Sequence, residues 1–138
     1  MLTVRDPLEI VFIVEDDEDD RALLARQLTS CAEVREVVTI GSGQGALEEI
    51  LARAGTDTLP TLILLDVNMP GMSGFDVLDA LDESDVITDE TAAIVVTGSA
   101  SDPDRLRALE YGRVLDYIVK PASRRDVLNI LRTAARES

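Results

Sequence analysis

The sequence predicts one α/β domain: a parallel sheet with helices on both faces. Three observations carry that prediction. Apolar runs of strand length alternate strictly with amphipathic stretches of helix length, in five β/α units. The runs Ile10–Val14, Thr61–Leu65 and Ala92–Val96 are apolar apart from Thr61, as expected of strands covered on both sides rather than on one. Finally, 138 residues with 46% apolar and 29% charged content suffice for one ordinary core and not for two. Residues 1–138 are therefore read as a single domain, without repeat, linker or low-complexity tract.

The elements follow in order. Ile10–Val14 is the first strand, and Asp17-Glu18-Asp19-Asp20 place acid where a helix N-terminus favours it. Leu24, Leu28 and Cys31 then share one helix face. Val34 to Ile40 reads as a shorter strand, and Ser42 as the N-cap of a helix with the stripe Ala46, Leu47, Ile50, Leu51 and Ala54. Gly55 to Leu59 is a turn before the central strand Thr61–Leu65, which ends at Asp66 and a Pro70-Gly71 turn. Ser73 caps a third helix burying Val77, Leu78 and Leu81, and Asp82 to Glu90 is a loop. After the fourth strand, Ala92–Val96, Asp102-Pro103 supply cap and first turn of a helix with Leu106 and Leu109 inward and Gly112 near its end. Tyr117-Ile118-Val119 is the fifth strand. Ser123 and Asp126 form a capping box for a last helix whose apolar face is Val127, Leu128, Leu131, Ala134 and Ala135.

Bulk properties exclude several function classes. A net charge of −14 opposes binding to nucleic acid and to anionic membranes. No run approaches the ~18 apolar residues of a membrane span, and the N-terminus lacks the basic-then-apolar pattern of a signal peptide. The single cysteine, Cys31, fits a reducing compartment and reads as a small buried helix residue, so a cytoplasmic location is expected. Histidine is absent, which excludes a Ser-His-Asp site and requires any phosphohistidine to come from another protein. With two Phe, two Tyr and no Trp, little aromatic surface is left for a flavin or a base.

In a doubly wound sheet the residues just past the strands converge on one edge. Here they are Glu15, Asp16 and Asp17, then Asp66, Thr97 and Lys120. Carboxylates in that number attract a hard, oxygen-seeking cation such as Mg²⁺. Lys120 offers a point charge for a phosphoryl oxygen, and Thr97 a hydroxyl that can donate to it. Each has an ordinary explanation when taken singly: Asp17 caps the following helix, a Thr after a strand satisfies the backbone, a Lys before Pro is a solvated charge. Together they describe phosphoryl transfer onto a carboxylate.

The residues Glu15-Asp16-Asp17, Leu65-Asp66-Val67-Asn68-Met69-Pro70-Gly71-Met72-Ser73-Gly74, Thr97-Gly98-Ser99 and Tyr117-Ile118-Val119-Lys120-Pro121 resemble the CheY-like receiver domains of two-component response regulators. The resemblance covers essentially the whole chain. It implies a flavodoxin-like (βα)5 sandwich with strand order 2-1-3-4-5. It also implies Asp66 as phosphoacceptor for a sensor histidine kinase, and Asp16, Asp66 and the Asn68 carbonyl as Mg²⁺ ligands, with Glu15 acting through water. Lys120 is implied to bind the phosphoryl group and Thr97 and Tyr117 to form the switch, with Lys120-Pro121 in cis. Two positions depart from the family pattern: Ala122 stands where many relatives carry Phe, and Gly98 where Ala or Ser is common.

An aspartate-dependent phosphatase of the haloacid dehalogenase type is the alternative, but it calls for an acid where this chain has Asn68. A flavodoxin-like FMN binder would need a phosphate loop where this chain has the unbroken acidic run Glu15–Asp20, and a pseudo-receiver would not keep the acids, Asp66, Thr97 and Lys120 together. The chain ends soon after the fifth helix, so no output domain is expected and the output is protein contact or phosphate relay through a histidine phosphotransfer protein. The opening Val14–Asp20 resembles free-standing receivers that partner phytochrome-type kinases. A homodimer through helix 4, strand 5 and helix 5 is expected, held by Asp102, Asp104 and Glu110 against Arg105, Arg107, Arg113, Arg124 and Arg125, without a large exposed apolar stripe.

Overall fold

The computed structural model describes residues 10–29, 34–84 and 91–137. The expectations for Cys31 and for most of the loop from Asp82 to Glu90 lie outside these residues, as do the side chains of Leu131, Ala134 and Ala135. The elements run β1 (Ile10–Val14), α1 (Glu18–Thr29), β2 (Glu36–Ile40), α2 (Gly43–Ala52), β3 (Leu62–Leu65), α3 (Gly74–Glu83), β4 (Ala92–Thr97), α4 (Asp102–Leu109), β5 (Val114–Val119) and α5 (Arg124–Glu137). All pairings are parallel, and the five strands lie in the order β2-β1-β3-β4-β5, the expected topology.

Strand periodicity divides the core into two layers. Phe12 and Val14 of β1, Ile63 and Leu65 of β3, and Ala93 and Val95 of β4 face one side, where α2, α3 and α4 contribute Ala46, Ile50, Phe75, Val77, Leu78, Leu81 and Ala108. Val11 and Ile13, Leu62 and Leu64, and Ile94 and Val96 face the other, where α1 and α5 supply Leu24, Leu28, Val127 and Ile130. Each fully buried Leu or Ile contributes about 1.5–3 kcal/mol, so the interior strands anchor the fold. Their unbroken apolar sequence follows from burial on both faces.

Helix starts obey capping chemistry. Ser42 accepts from the Gly45 N–H, Ser73 and Asp76 cap each other's backbone, and Ser123 and Asp126 do the same at α5. Asp17 caps α1 by accepting the Asp20 N–H at 2.9 Å, its ordinary role. At α4 the N-cap is Ser101, not Asp102; Asp102-Pro103 form the first helical positions instead.

Several side chains depart from the expected faces. Leu106 and Leu109 of α4 are 65% and 44% exposed, and the helix buries only Ala108. A small residue there lets the helix lie close to the sheet, which turns the leucines to solvent. Leu51 is likewise outward, and in α5 Ile130 takes the buried place while Leu128 is exposed. β2 begins two residues after Val34, α3 continues through Glu83, and β5 starts already at Val114.

Two glycines bring the central strand end into place. Gly71 has φ 75°, a left-handed turn that a side chain would strain. A Cβ on Gly74 would meet the Asp66 carbonyl and lie 2.6 Å from the Val67 Cα, so only glycine lets α3 start against the backbone of Asp66. No helix among the described residues is long and apolar enough to cross a membrane.

Candidate functional site

Parallel strands present all their C-terminal ends at one edge, and the ends of β1, β3, β4 and β5 meet there. Asp66, just past β3, is 5% exposed and fully engaged. Its Oδ1 accepts from the Thr97 hydroxyl at 2.7 Å and from the Asn68 backbone N–H at 2.9 Å. Its Oδ2 accepts from the Lys120 ammonium at 3.0 Å. Thr97 and Glu15 are buried beside it at 0% and 2% exposure. Lys120 contacts Glu15 Oε1 directly, and the Lys120-Pro121 bond is cis, as expected.

Glu15, Asp16 and Asp66 each offer a carboxylate oxygen, and the three oxygens lie within 4.8 Å of one another. Glu15 and Asp66 are buried while Asp16 faces solvent, leaving an open side. Burial pushes the Glu15 carboxyl up to about 7 from 4.5, against the pull of Lys120 and of the Asp17 N–H; the nearby Asp66 charge adds to the rise. Burial also works against the Lys120 charge, but its bonds to Glu15, Asp20 and Asp66 outweigh that and hold the ammonium above its ordinary value. The adjacent Arg21 guanidinium donates to the Glu15 backbone carbonyl at 2.8 Å rather than to a carboxylate. Carboxylates thus outnumber the cations serving them, and every donor is oxygen. That combination fits a hard divalent cation.

Seven residues were expected at the site, and the structure gathers five of them around a sixth, Asp66. Glu15, Asp16, Thr97 and Lys120 arrive through side chains, Asn68 through its backbone N–H. Tyr117 stands one step away: it is buried, and its hydroxyl donates to the Ser99 carbonyl at 2.8 Å. The Ser99 N–H in turn reaches the Thr97 hydroxyl at 3.4 Å, and the Ser99 hydroxyl donates to Asp104 in the first turn of α4 at 2.7 Å. Thr97, Ser99, Tyr117 and α4 are therefore linked by consecutive hydrogen bonds.

Sequence reasoning missed Ser99 and Asp104 as members of this chain, and it missed Asp20. The Asp20 carboxylate bonds Lys120 at 2.9 Å across a separation of 100 residues. A signal was present: Lys120 is the only lysine, all other basic residues being arginine, and Asp20 follows Asp16 at helical spacing.

The family model described as response regulator receiver domain matches residues 11–132. The chain is similar to the sensory transduction protein RegX3 of Mycolicibacterium smegmatis, with 36% identity over 129 residues covering 91% of this chain. It spans half the length of that relative. Among solved structures, a two-component response regulator from Cytophaga hutchinsonii superimposes with a TM-score of 0.85 at 21% identity, covering 95% of this chain and 98% of that one. The bacteriophytochrome response regulator AtBRR matches with a TM-score of 0.74 at 26% identity, over 92% of each chain. With its sheet order, its strand-end acids and this family match, the chain belongs to the response regulator receiver domains.

Proposed function

We propose that the chain accepts a phosphoryl group on Asp66 from the phosphohistidine of a sensor kinase and passes the change on through protein contacts. The observation that carries this reading is the treatment of the Asp66 carboxylate, which is buried yet held at both oxygens, by Thr97 and Asn68 on one side and by Lys120 on the other. A carboxylate oxygen attacks phosphorus, the P–N bond breaks, and its electron pair returns to the donor's imidazole. The product is an acyl phosphate on Asp66. Lys120 then has a donor for a phosphoryl oxygen and Thr97 a hydroxyl. Glu15, Asp16 and Asp66, with the Asn68 carbonyl, would hold Mg²⁺, whose chemistry is to neutralise the crowded oxygens.

Thr97 and Tyr117 serve as the switch, through Ser99 and Asp104 to α4. The partner kinase is of the phytochrome type, a reading supported by the likeness to AtBRR and by the Val14–Asp20 opening. The output is a downstream target or a phosphotransfer protein, met through a homodimer face on α4, β5 and α5 in the cytoplasm. That face differs from expectation. Arg113 is engaged inside the domain by Asp82 at 2.8 Å, and Arg107 stacks on Phe75. Among the described residues, Leu106, Leu109, Val119 and Leu128 are the large exposed apolar side chains on these elements.

Incubation with acetyl phosphate and Mg²⁺ tests the assignment. Wild type should be labelled, and chelation or Asp66→Asn should abolish the label. Labelling of Asp66→Asn at the wild-type level would refute it.

A further inference from the structure

The Lys120 ammonium is shared by three carboxylates, and only two of them have a use in the proposed chemistry. Glu15 and Asp66 belong to the metal-capable cluster, whose oxygens lie within 4.8 Å of one another, and Asp66 is also the acceptor. Asp20 is outside that cluster. It sits in the first turn of α1, fixed by the Asp17 cap, and its Oδ2 meets Lys120 at 2.9 Å. A lysine has three N–H donors on a flexible four-carbon stem. The demands of Glu15 and Asp66 on those donors change when a cation or a phosphoryl group arrives. Asp20 is the partner whose demand stays constant.

We propose that Asp20 is a positioning residue: it tethers the Lys120 ammonium over Asp66 so that a donor is in place throughout the phosphorylation cycle. This rests on the reading of Asp66 as phosphoacceptor. The Asp20 side chain is 42% exposed, so the pair adds little to folding stability and Asp20→Asn should fold normally. The net charge of the site does not explain the geometry: Glu18 and Asp19 carry equal charge on the same turn and are exposed.

The single lysine makes the tether directly observable, because protein labelled with ¹⁵N-lysine carries one side-chain ammonium resonance. Hydrogen exchange of that ammonium in wild type should be slow and should speed up by roughly two- to fivefold in Asp20→Asn, the factor that a half-exposed ion pair supports. Asp19→Asn should leave it unchanged. At saturating Mg²⁺, the rate of labelling by acetyl phosphate should fall by a similar factor in Asp20→Asn and recover in Asp20→Glu. The Mg²⁺ affinity should remain that of Asp19→Asn, and the Asp20 effect should vanish in a Lys120→Ala background. Unchanged ammonium exchange in Asp20→Asn, an equal effect from Asp19→Asn, or a full Asp20 effect without Lys120 would each overturn the tether. Persistence of label in Asp66→Asn would instead remove the phosphoacceptor reading, and the exchange measurement would still decide the tether by itself.

Discussion

Helices α3 and α4 leave the same edge of the same sheet, one after Asp66 and the other after Thr97, yet they are attached in opposite ways. α3 buries Gly74, Phe75, Val77, Leu78 and Leu81, and it starts with its first residue against the Asp66 backbone. α4 buries Ala108 alone. It is held at its rim by polar and aromatic contacts. Asp104 takes the Ser99 hydroxyl, and the Arg107 guanidinium lies 4.1 Å above the Phe75 ring. Beyond the helix, Tyr111 stacks on Phe75 at 6.5 Å and donates to Asp79 at 2.6 Å. Apolar burial is additive and undirected, whereas a few hydrogen bonds can be exchanged for others at small net cost. The helix beside Asp66 is thereby held by burial, and the one beside Thr97 by a few exchangeable bonds.

The largest expected contrast lies in the cores of the two helices. Leu78→Ala removes a side chain with 0% exposure and should cost about 2–5 kcal/mol, the range for buried leucines. Leu106→Ala, at 65% exposure, should change unfolding free energy by less than about 0.5 kcal/mol. Urea unfolding of both variants measures the difference. Equal losses would mean that α4 is as firmly seated as α3.

A smaller effect should come from the polar rim. Ser99→Ala removes the hydroxyl bonded to Asp104 and should cost about 0.5–1.5 kcal/mol. The loss should be local: amide exchange should accelerate in residues 102–109 and stay constant in residues 74–83. Phosphorylation of Asp66 should continue, while its effect on α4 exchange should shrink. Uniform acceleration in both helices would show that Ser99 stabilises the whole domain rather than the α4 attachment.

The contrast was only half legible in the sequence. Val77, Leu78 and Leu81 announce the buried face of α3 because a stripe of large apolar residues has few alternatives. In α4 the same logic places Leu106 and Leu109 inward, yet the structure buries Ala108 between them. Hydrophobicity ranks the leucines above the alanine; it does not register that a close helix–sheet approach requires a small side chain. The N-cap was off by one residue because Ser101 and Asp102 are both competent caps. The site itself was more legible than the helix faces, since strand ends are marked by a change from apolar run to Asp66, Thr97 or Lys120. What spacing cannot reveal is a contact between distant elements, and both Asp20 on Lys120 and Ser99 on Asp104 depend on how α1 and α4 are docked.

The outward leucines lead to the smallest effect on folding and a distinct one on assembly. Leu106 and Leu109 are one turn apart on α4 and share a face, next to an edge strand whose Val119 is 38% exposed, and Leu128 of α5 is 41% exposed. Exposed charges on the same elements, Asp102 and Glu110 with Arg105, Arg124 and Arg125, allow opposite signs to meet across a two-fold axis. Leu106→Glu replaces an apolar contact with a charge in that face while leaving the core untouched. Its unfolding free energy should stay within about 0.5 kcal/mol of wild type. Sedimentation in the presence of a phosphoryl mimic should show a dimer for wild type and a monomer for Leu106→Glu. Raising the salt should weaken the wild-type dimer only in part, since apolar burial is not screened. A wild-type monomer under all conditions, or a Leu106→Glu dimer of unchanged affinity, would remove this face from the assembly and leave α4 as a surface for other partners alone.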